Sequence, residues 1–560
     1  MAIEFKAYYL MLKTFFNNTK RFYNTVKYLK FKQISWRVWY KFHKVGSVDG
    51  HSLKTKTVPK AWIEHARRKP SLIAGMTFEF FGETGSIDEL GWDGPNRSKL
   101  WRYNQHYFDD LNAKNSKDRI VYHRSLITNW IHENSVGTGS GWEPYPTSLR
   151  IVNWVKFALS SRELNTKVKE SLSVQARWLS RHIEWHILGN HLMSNAKALY
   201  FCGLFFEGDE AEAWRKNGLS IMLNELQEQI LPDGGHFELS PMYHALAVED
   251  FLDIINVAKC YGHSEDVVRL EQALPSMLAW LKLMSHPDGE ISFFNDSATN
   301  IAPENSQLFD YAKRLGIQRN HIFAHSLLPE SGYFRLENSH SVLIGDVGRI
   351  GPDYLPSHAH ADTLSFEFSL FDQRLVVNSG TSVYGLGQER LRQRGTDAHS
   401  TLSINGANSS DVWSGFRVGT RARPGAVTFQ TSDTEATVQG SHDGYRVKSG
   451  SPVHYRKWSL KPGCLKIEDT ISGNSSYNLD VVFRLHPTVS VVQGQKNTLV
   501  LTLPSGDTAL FKHASGGDAV IEATTWHPMF GTAEESSLIR FSKKGKGTII
   551  LKFNFTWTDE

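Results

Sequence analysis

From about residue 55 to 325, apolar positions recur every three to four residues, the period of a helix buried on one face. Leu149, Val152, Trp154, Val155 and Ala158 keep that spacing, as do Leu192, Ala196, Leu199, Tyr200 and Leu204. Residues 208–230, 241–261 and 265–285 follow it too, with Gly- or Pro-bearing loops between them. From about residue 330 the period falls to two, in Ser341–Ile344, Leu364–Leu370, Leu375–Val377, Ala426–Phe429, Asp480–Phe483, Thr498–Leu503 and Thr548–Phe553. Many short strands between Gly, Asn, Ser and Asp clusters predict an antiparallel sandwich. Helices first and strands afterwards predict a multidomain α+β chain. The expected division is a basic aromatic segment over 1–50, a helical domain over 51–325 and a sheet domain over 326–560. A chain of 560 residues needs two or three cores.

Two loops echo each other within the helical stretch. Pro232-Asp233-Gly234-Gly235-His236-Phe237 returns as Pro287-Asp288-Gly289-Glu290-Ile291-Ser292-Phe293, 55 residues later. That spacing is one helical hairpin with its connections, so a solenoid or a closed ring of paired helices is expected.

Charge changes the picture at the N-terminus. Residues 1–45 hold ten Lys/Arg against one acid, Glu4; this +9 leaves −5 for the other residues within the net +4. The segment is also rich in aromatics. Its charges rule out a secretory signal or a membrane span. It reads as a basic amphipathic helix offering peripheral contact to an anionic membrane or acidic polymer, or as a solvated helix packed on the main body. No nucleic-acid-binding signature is present, and the rest of the chain is mildly acidic. Cys202, Cys260 and Cys464 form neither a disulfide framework nor a CxxC metal site. The 16 Trp and 19 Tyr suit stacking on sugar faces as well as filling a core.

The densest chemistry lies in Ser357–Phe368, which reads as a strand. His358, His360 and Asp362 would share a face with Leu364, Phe366 and Phe368. Titratable groups at the rim of a buried face suit catalysis or metal binding, or a hydrogen-bonded structural pair. Asn190-His191 opens a periodic helix, where an amide and an imidazole hold an anion, unless Asn190 is simply the N-cap. Ser240-Pro241-Met242-Tyr243-His244 starts another helix with Pro at its first position, placing Tyr243 at a helix mouth. A phenol there acts as acid or base if nearby cations lower its pKa. The loop carrying Trp142, Tyr145 and Arg150, and the cluster around His106, line a sugar cleft or pack between helices. His399 follows in Thr396-Asp397-Ala398-His399-Ser400-Thr401. His360, Asn378 and His399 would make a metal set, although amide oxygen is a poorer zinc ligand than carboxylate.

Taken together, the Asn190-His191 pair, Ser240–His244, Ser357-His358-Ala359-His360-Ala361-Asp362 and Thr396–Thr401 resemble the heparinase II/III-type polysaccharide lyases, whose relatives include alginate lyases. The match runs over roughly residues 95–430. The resemblance implies an incomplete (α/α) toroid followed by an antiparallel β-sandwich, with the site in the cleft between them. It implies a polysaccharide lyase that cleaves a uronic-acid polymer, glycosaminoglycan-like or from a bacterial surface, by β-elimination. Asn190, His191 and His358 would neutralise the uronate carboxylate, Tyr243 would be the acid, and a histidine or a second tyrosine such as Tyr384 would share the work. His360, His399 and Asn378, where the family more often carries Asp, would hold one structural divalent metal, zinc first. Trp142, Tyr145, Arg150, His106, Tyr384, Arg394 and Arg417 are the candidate substrate contacts, with structural salt bridges as the alternative for Arg394 and Arg417. Two other readings stay open: a non-catalytic glycan-binding or polysaccharide-assembly protein, and a metal-dependent glycan hydrolase. With no signal peptide visible, a cytoplasmic or inner-membrane-associated bacterial protein is expected.

Overall fold

The computed structural model describes residues 19–43, 46, 48, 50–160, 163–447, 450–495 and 497–558. Residues 19–26 are helical, and α1 follows at Phe31–Phe42. The helical part continues through α2 (Lys99–Tyr107), α3 (Ile120–Glu133), α4 (Pro144–Leu159), α5 (Thr166–Arg181), α6 (Gly189–Phe205), α7 (Asp209–Gln229), α8 (Pro241–Cys260), α9 (Val268–Leu283) and α10 (Asn305–Arg314). The short connection between α6 and α7 makes them antiparallel neighbours, a hairpin of the kind the spacing predicts. Apolar stripes from α3 to α10 meet in one core that includes Trp130, Trp154, Leu199, Leu252 and Leu278.

The twin Pro-Asp-Gly loops are structural equivalents. Ile230 bridges His236 in the first and Ser285 bridges Ile291 in the second, at matching positions of the repeat. Gly234 and Gly289 both take left-handed φ, +90° and +88°, which a side chain would strain. The first loop leads through Glu238 to Tyr243, and the second leads to Asn295 and Asp296.

One departure lies inside the helical stretch. Leu72–Ala74, Thr77–Phe80 and Glu83–Ser86 form a small antiparallel sheet. Leu72, Phe78 and Gly85 are its buried positions, and Gly75 and Gly82 make its turns at positive φ.

After residue 325 the chain is built from antiparallel sheets. Strands between 326 and 376 form a five-stranded sheet in sequential order. Strands between 428 and 557 make an eight-stranded sheet, and a four-stranded one joins Leu402–Ile404 to Ser476–Arg484. Alternate side chains such as Leu465, Ile467, Phe553 and Phe555 point into the core between sheets. Each segment predicted as strand carries one, but the first half of Ser357–Phe368 does not. Strand begins at Phe366, and residues 357–365 are loop. Ala359, Ala361, Thr363 and Ser365 are as buried as His360 and Asp362, so no two-sided alternation operates there. Leu364, at φ +65°, breaks the extended run.

The N-terminal helices lie as a strap across the seam between the two parts. Arg21 pairs with Asp411, and Tyr28 sits under the Arg421 guanidinium at 4.1 Å, both on the sheet side. Gln33 is buried and donates to the Tyr354 carbonyl. Trp36 stacks on Trp185, and the Tyr40 hydroxyl donates to the Ile183 carbonyl, both on the helical side. The part of the basic segment before residue 19 lies outside the described residues.

Candidate active site

The site is assembled where the helical and sheet parts meet. Ser240 caps α8 by accepting from the Tyr243 N–H, and Pro241 occupies the first turn, so Tyr243 projects from the helix mouth. The Ser240 hydroxyl also donates to the Asp296 carbonyl, tying the twin loops together. The Tyr243 ring lies 4.0 Å from the His358 ring, centroid to centroid. Its hydroxyl stands 3.1 Å from that of Tyr384. Burial, then the neighbouring Tyr384 phenol and the Asp296 charge, push the Tyr243 phenol well above its ordinary value. The lowering by cations expected from sequence is therefore reversed: Tyr243 is a neutral phenol, suited to donating a proton.

Asp296 is fully buried and gathers four side-chain partners, the longest contact being the Thr381 hydroxyl at 3.4 Å. Arg390 clasps both its oxygens, His358 Nδ1 lies 2.8 Å from Oδ2, and His360 Nε2 lies 2.8 Å from Oδ1. Burial opposes its charge, but Arg390 and the two imidazoles hold this carboxyl well below the usual range. An ionised Asp296 fixes a proton on His358 Nδ1 and leaves Nε2 as the acceptor.

On the helical side, α6 begins with Leu188 as N-cap at φ +71° and Gly189 at φ +60°. Asn190 therefore lies in the first turn and is not the cap. His191 Nδ1 lies 3.0 Å from Glu184 Oε1, and its ring rests on Tyr145 at 4.4 Å. Burial works against charging His191, but Glu184 outweighs it and holds the imidazole above its ordinary pKa. An amide, a charge-prone imidazole and the N–H groups of a helix start are thus grouped at one end of α6.

Two carboxylates escaped the sequence reading, Asp296 and Glu238. Each comes a few residues after a Pro-Asp-Gly turn, and the echo between those turns was the available signal. Glu238 is buried, with one oxygen 3.6 Å from His358 Nε2.

Four expected substrate contacts are corrected. Trp142 is buried between Trp130 and Trp178. Arg150 is fully buried on Trp130, where it donates to Gln175 and the Gly141 carbonyl. His106 is fully buried and accepts from Trp130. Arg394 is fully buried and spends its guanidinium on the carbonyls of Ala359 and Ser414. Each fills a core or fastens a loop, and none presents a surface to a polymer. Tyr145 and Tyr384 do lie at the site, and Arg417 is exposed beside Trp413.

The expected metal set is poor in donors. His360 Nδ1 and His399 Nε2 face each other at 3.2 Å. The Asn378 amide oxygen already accepts from the Ser400 N–H. Among the described residues, three His, Cys, Asp or Glu donors converge only at His263, Glu265 and Asp266, where Asp266 is held by Arg215 and Tyr200. Two imidazoles and an engaged amide lack the anionic ligand common in zinc sites; the rings share one hydrogen bond, and His399 Nδ1 is buried without a partner. These residues do not fit a tightly held zinc ion.

Comparison with known proteins gives this geometry a family. Residues 82–315 match the heparinase II/III N-terminus, and residues 323–554 match the heparinase II/III-like C-terminal model. A heparin-sulfate lyase of Bacteroides stercoris is 30% identical over 243 residues, covering 39% of this chain and 36% of that protein. A heparin-sulfate lyase of Pedobacter heparinus is 25% identical over 325 residues, covering 50% and 47%. The chain thus spans less than half the length of these two relatives. The crystal structure of Heparinase III superposes with a TM-score of 0.67 at 19% identity, over 86% of this chain and 80% of that one, and shares its fold. With both halves matched in order, on either side of the seam that holds Tyr243 and His358, the chain belongs to the heparinase II/III family.

Proposed function

We propose that the protein is a polysaccharide lyase that cleaves a uronic-acid-containing glycan, glycosaminoglycan-like or bacterial, by β-elimination. The observation that carries this reading is the close approach of the Tyr243 and His358 rings, with His358 backed by Asp296. The proton at C5 of a uronate is very weakly acidic while the carboxylate keeps its full charge. Asn190, His191 and the first turn of α6 would stabilise the enolate that forms as this proton leaves. His358 Nε2, its other nitrogen held on Asp296, takes the C5 proton. This is a base's geometry, and it favours that role for His358 over carboxylate neutralisation. Tyr243, kept protonated by burial, donates to the departing 4-oxygen, with Tyr384 holding the phenol in place. Acid and base stand side by side, so the proton and the leaving oxygen depart from one face of the sugar. D-Glucuronate and D-mannuronate present both bonds on one face, and their C5 epimers do not. The chain's own groups carry each step, and His360 with His399 would serve to hold the loop that presents His358.

The test is a panel of uronate polymers, heparosan and heparan sulfate first, followed by the ultraviolet absorbance of the C4–C5 double bond. The expected result is unsaturated ends from wild type and a loss of about 10²- to 10⁴-fold in Tyr243→Phe. Saturated products would point to hydrolysis, and binding without product to a glycan-binding protein.

We infer a second contact, with an anionic membrane surface. Phe31, Ile34, Val38 and Phe42 are 83, 46, 52 and 73% exposed along one side of α1. Exposed Lys20, Lys27 and Lys41 accompany them. Apolar residues at helical spacing beside lysines suit a helix lying in a lipid headgroup layer. No helix among the described residues is long and apolar enough to cross a membrane.

A further inference from the structure

Glu238 is a site residue without a visible employment. It is 2% exposed, and neither carboxyl oxygen has a partner in hydrogen-bond geometry. An ionised carboxylate buried without donors is strongly disfavoured. In the working protein it is therefore neutral, or bonded to something that arrives from outside.

Its surroundings hold it in place. Leu239, next in the chain, takes φ +57°, and Leu188 and Gly189 opposite take φ +71° and +60°. Strained backbone of this kind persists only where packing over-determines it, and it clusters at functional sites. A Cβ on Gly189 would stand 3.3 Å from Glu238 Oε1, so the missing side chain lets the carboxyl reach the first turn of α6. His358 Nε2 lies 3.6 Å from Oε2. The other groups that face it are His191, the Asn190 N–H, Asp296, Tyr354 and Tyr384. Burial is the largest influence and raises its pKa; the imidazoles and the Asn190 N–H oppose it, and Asp296 adds to it. The balance holds Glu238 above the ordinary carboxylate range.

We propose that Glu238 binds the substrate's uronate group as a carboxylic acid, donating its proton into a carboxyl–carboxylate hydrogen bond beside Asn190 and His191. The proposal rests on the lyase reading above. An anionic Glu238 would repel a uronate, whereas the acid supplies a donor where negative charge must be received. As the C5 proton passes to His358, the uronate gains enolate character and a second charge, and the Glu238 O–H bond lengthens toward it. When the C4–O bond breaks, that charge leaves with the 4-oxygen, which takes the Tyr243 proton. Glu238 keeps its own proton throughout, so the group is unchanged over the cycle.

The experiment compares Glu238→Gln, which keeps shape and a donor, with Glu238→Ala, using the full chain and heparosan as probe, or the panel polymer that yields product. The expected wild-type kcat/KM falls at alkaline pH as Glu238 ionises. Glu238→Gln is expected within about tenfold of wild type at neutral pH with that limb displaced or absent, and Glu238→Ala at least about a hundredfold lower. Thermal melting gives a readout independent of activity. A raised folded-state pKa means that the folded chain keeps a proton which the unfolded chain has released. Stability from this group is full below the unfolded value and is lost as pH rises through the folded one. Wild type should show that loss, and Glu238→Gln should not. The proposal is overturned if Glu238→Gln melts normally but is as inactive as Glu238→Ala. It is equally overturned if Glu238→Gln keeps the wild-type alkaline limb and melting profile. A wild type that yields no unsaturated ends from any uronate polymer overturns the lyase reading and this proposal together.

Discussion

Asp296, itself fully buried, receives the N–H groups of two imidazoles and a guanidinium. Removing its charge leaves Arg390 buried and unpaired, and it also releases the His358 tautomer. Breaking a buried ion pair from one side costs about 3–5 kcal/mol. Asp296→Asn should therefore lower the melting temperature measurably, and it should cut product formation by about 10²- to 10⁴-fold through the misplaced proton. Melting followed by circular dichroism and the rate of double-bond formation check the two effects separately. A variant that melts early yet eliminates at the wild-type rate would show that Asp296 supports the fold alone. At this scale the sequence was only partly legible. Asn190, His191, Tyr243 and His358 stand out by residue type and by position at helix starts or beside small residues. Asp296 and Glu238 sit in ordinary-looking loops, and their environment is supplied by chain more than forty residues away. Arg150, Trp142 and His106 misled for the same reason: an aromatic and basic cluster lines a cleft or fills a core, and only burial separates the two.

The entry to α6 is tightly constrained. Leu188 and Gly189 both adopt positive φ, and a Cβ on Gly189 would lie 2.6 Å from the Leu355 side chain. Gly189→Ala combines an αL strain of about 1–2 kcal/mol with that overlap. The first turn of α6 should shift, carrying Asn190 and His191 with it. The expected outcome is a lowered melting temperature with a rise in KM larger than the thermal loss alone explains, measured by steady-state elimination at a temperature where the variant is folded. Elements were the most legible level of this chain, because long helical and alternating periods average over many residues. The twin Pro-Asp-Gly loops were readable as a repeat, and both form the same bridge around a left-handed glycine. The strand assigned to residues 357–365 failed because alternation presupposes one wet face. From Ala359 onward that loop is buried on all sides, so its pattern reflected packing between two parts of the molecule.

At the scale of the whole molecule, the basic aromatic segment joins what sequence divides. Its described helices both pack, through Gln33, Trp36 and Tyr40, and present an apolar and lysine-bearing side outward. The chain should sediment with vesicles containing anionic lipid and not with purely zwitterionic ones, and it should be released as salt rises past the screening range. Replacing Phe31, Ile34, Val38 and Phe42 together by serine should abolish sedimentation and leave elimination of a soluble polymer intact. Sedimentation that is unchanged in this variant, or a dimer that disappears with it in light scattering, would assign the face to something other than lipid.

The strap also sets how the two halves can move. It is fastened to Ile183 and Trp185 on one side and to Asp411 and Arg421 on the other. Two halves fastened along one edge part least there and most at the edge left unbound. On the lyase reading, a long glycan would enter sideways from that free margin, and the shortened chain would leave by the same one-sided route.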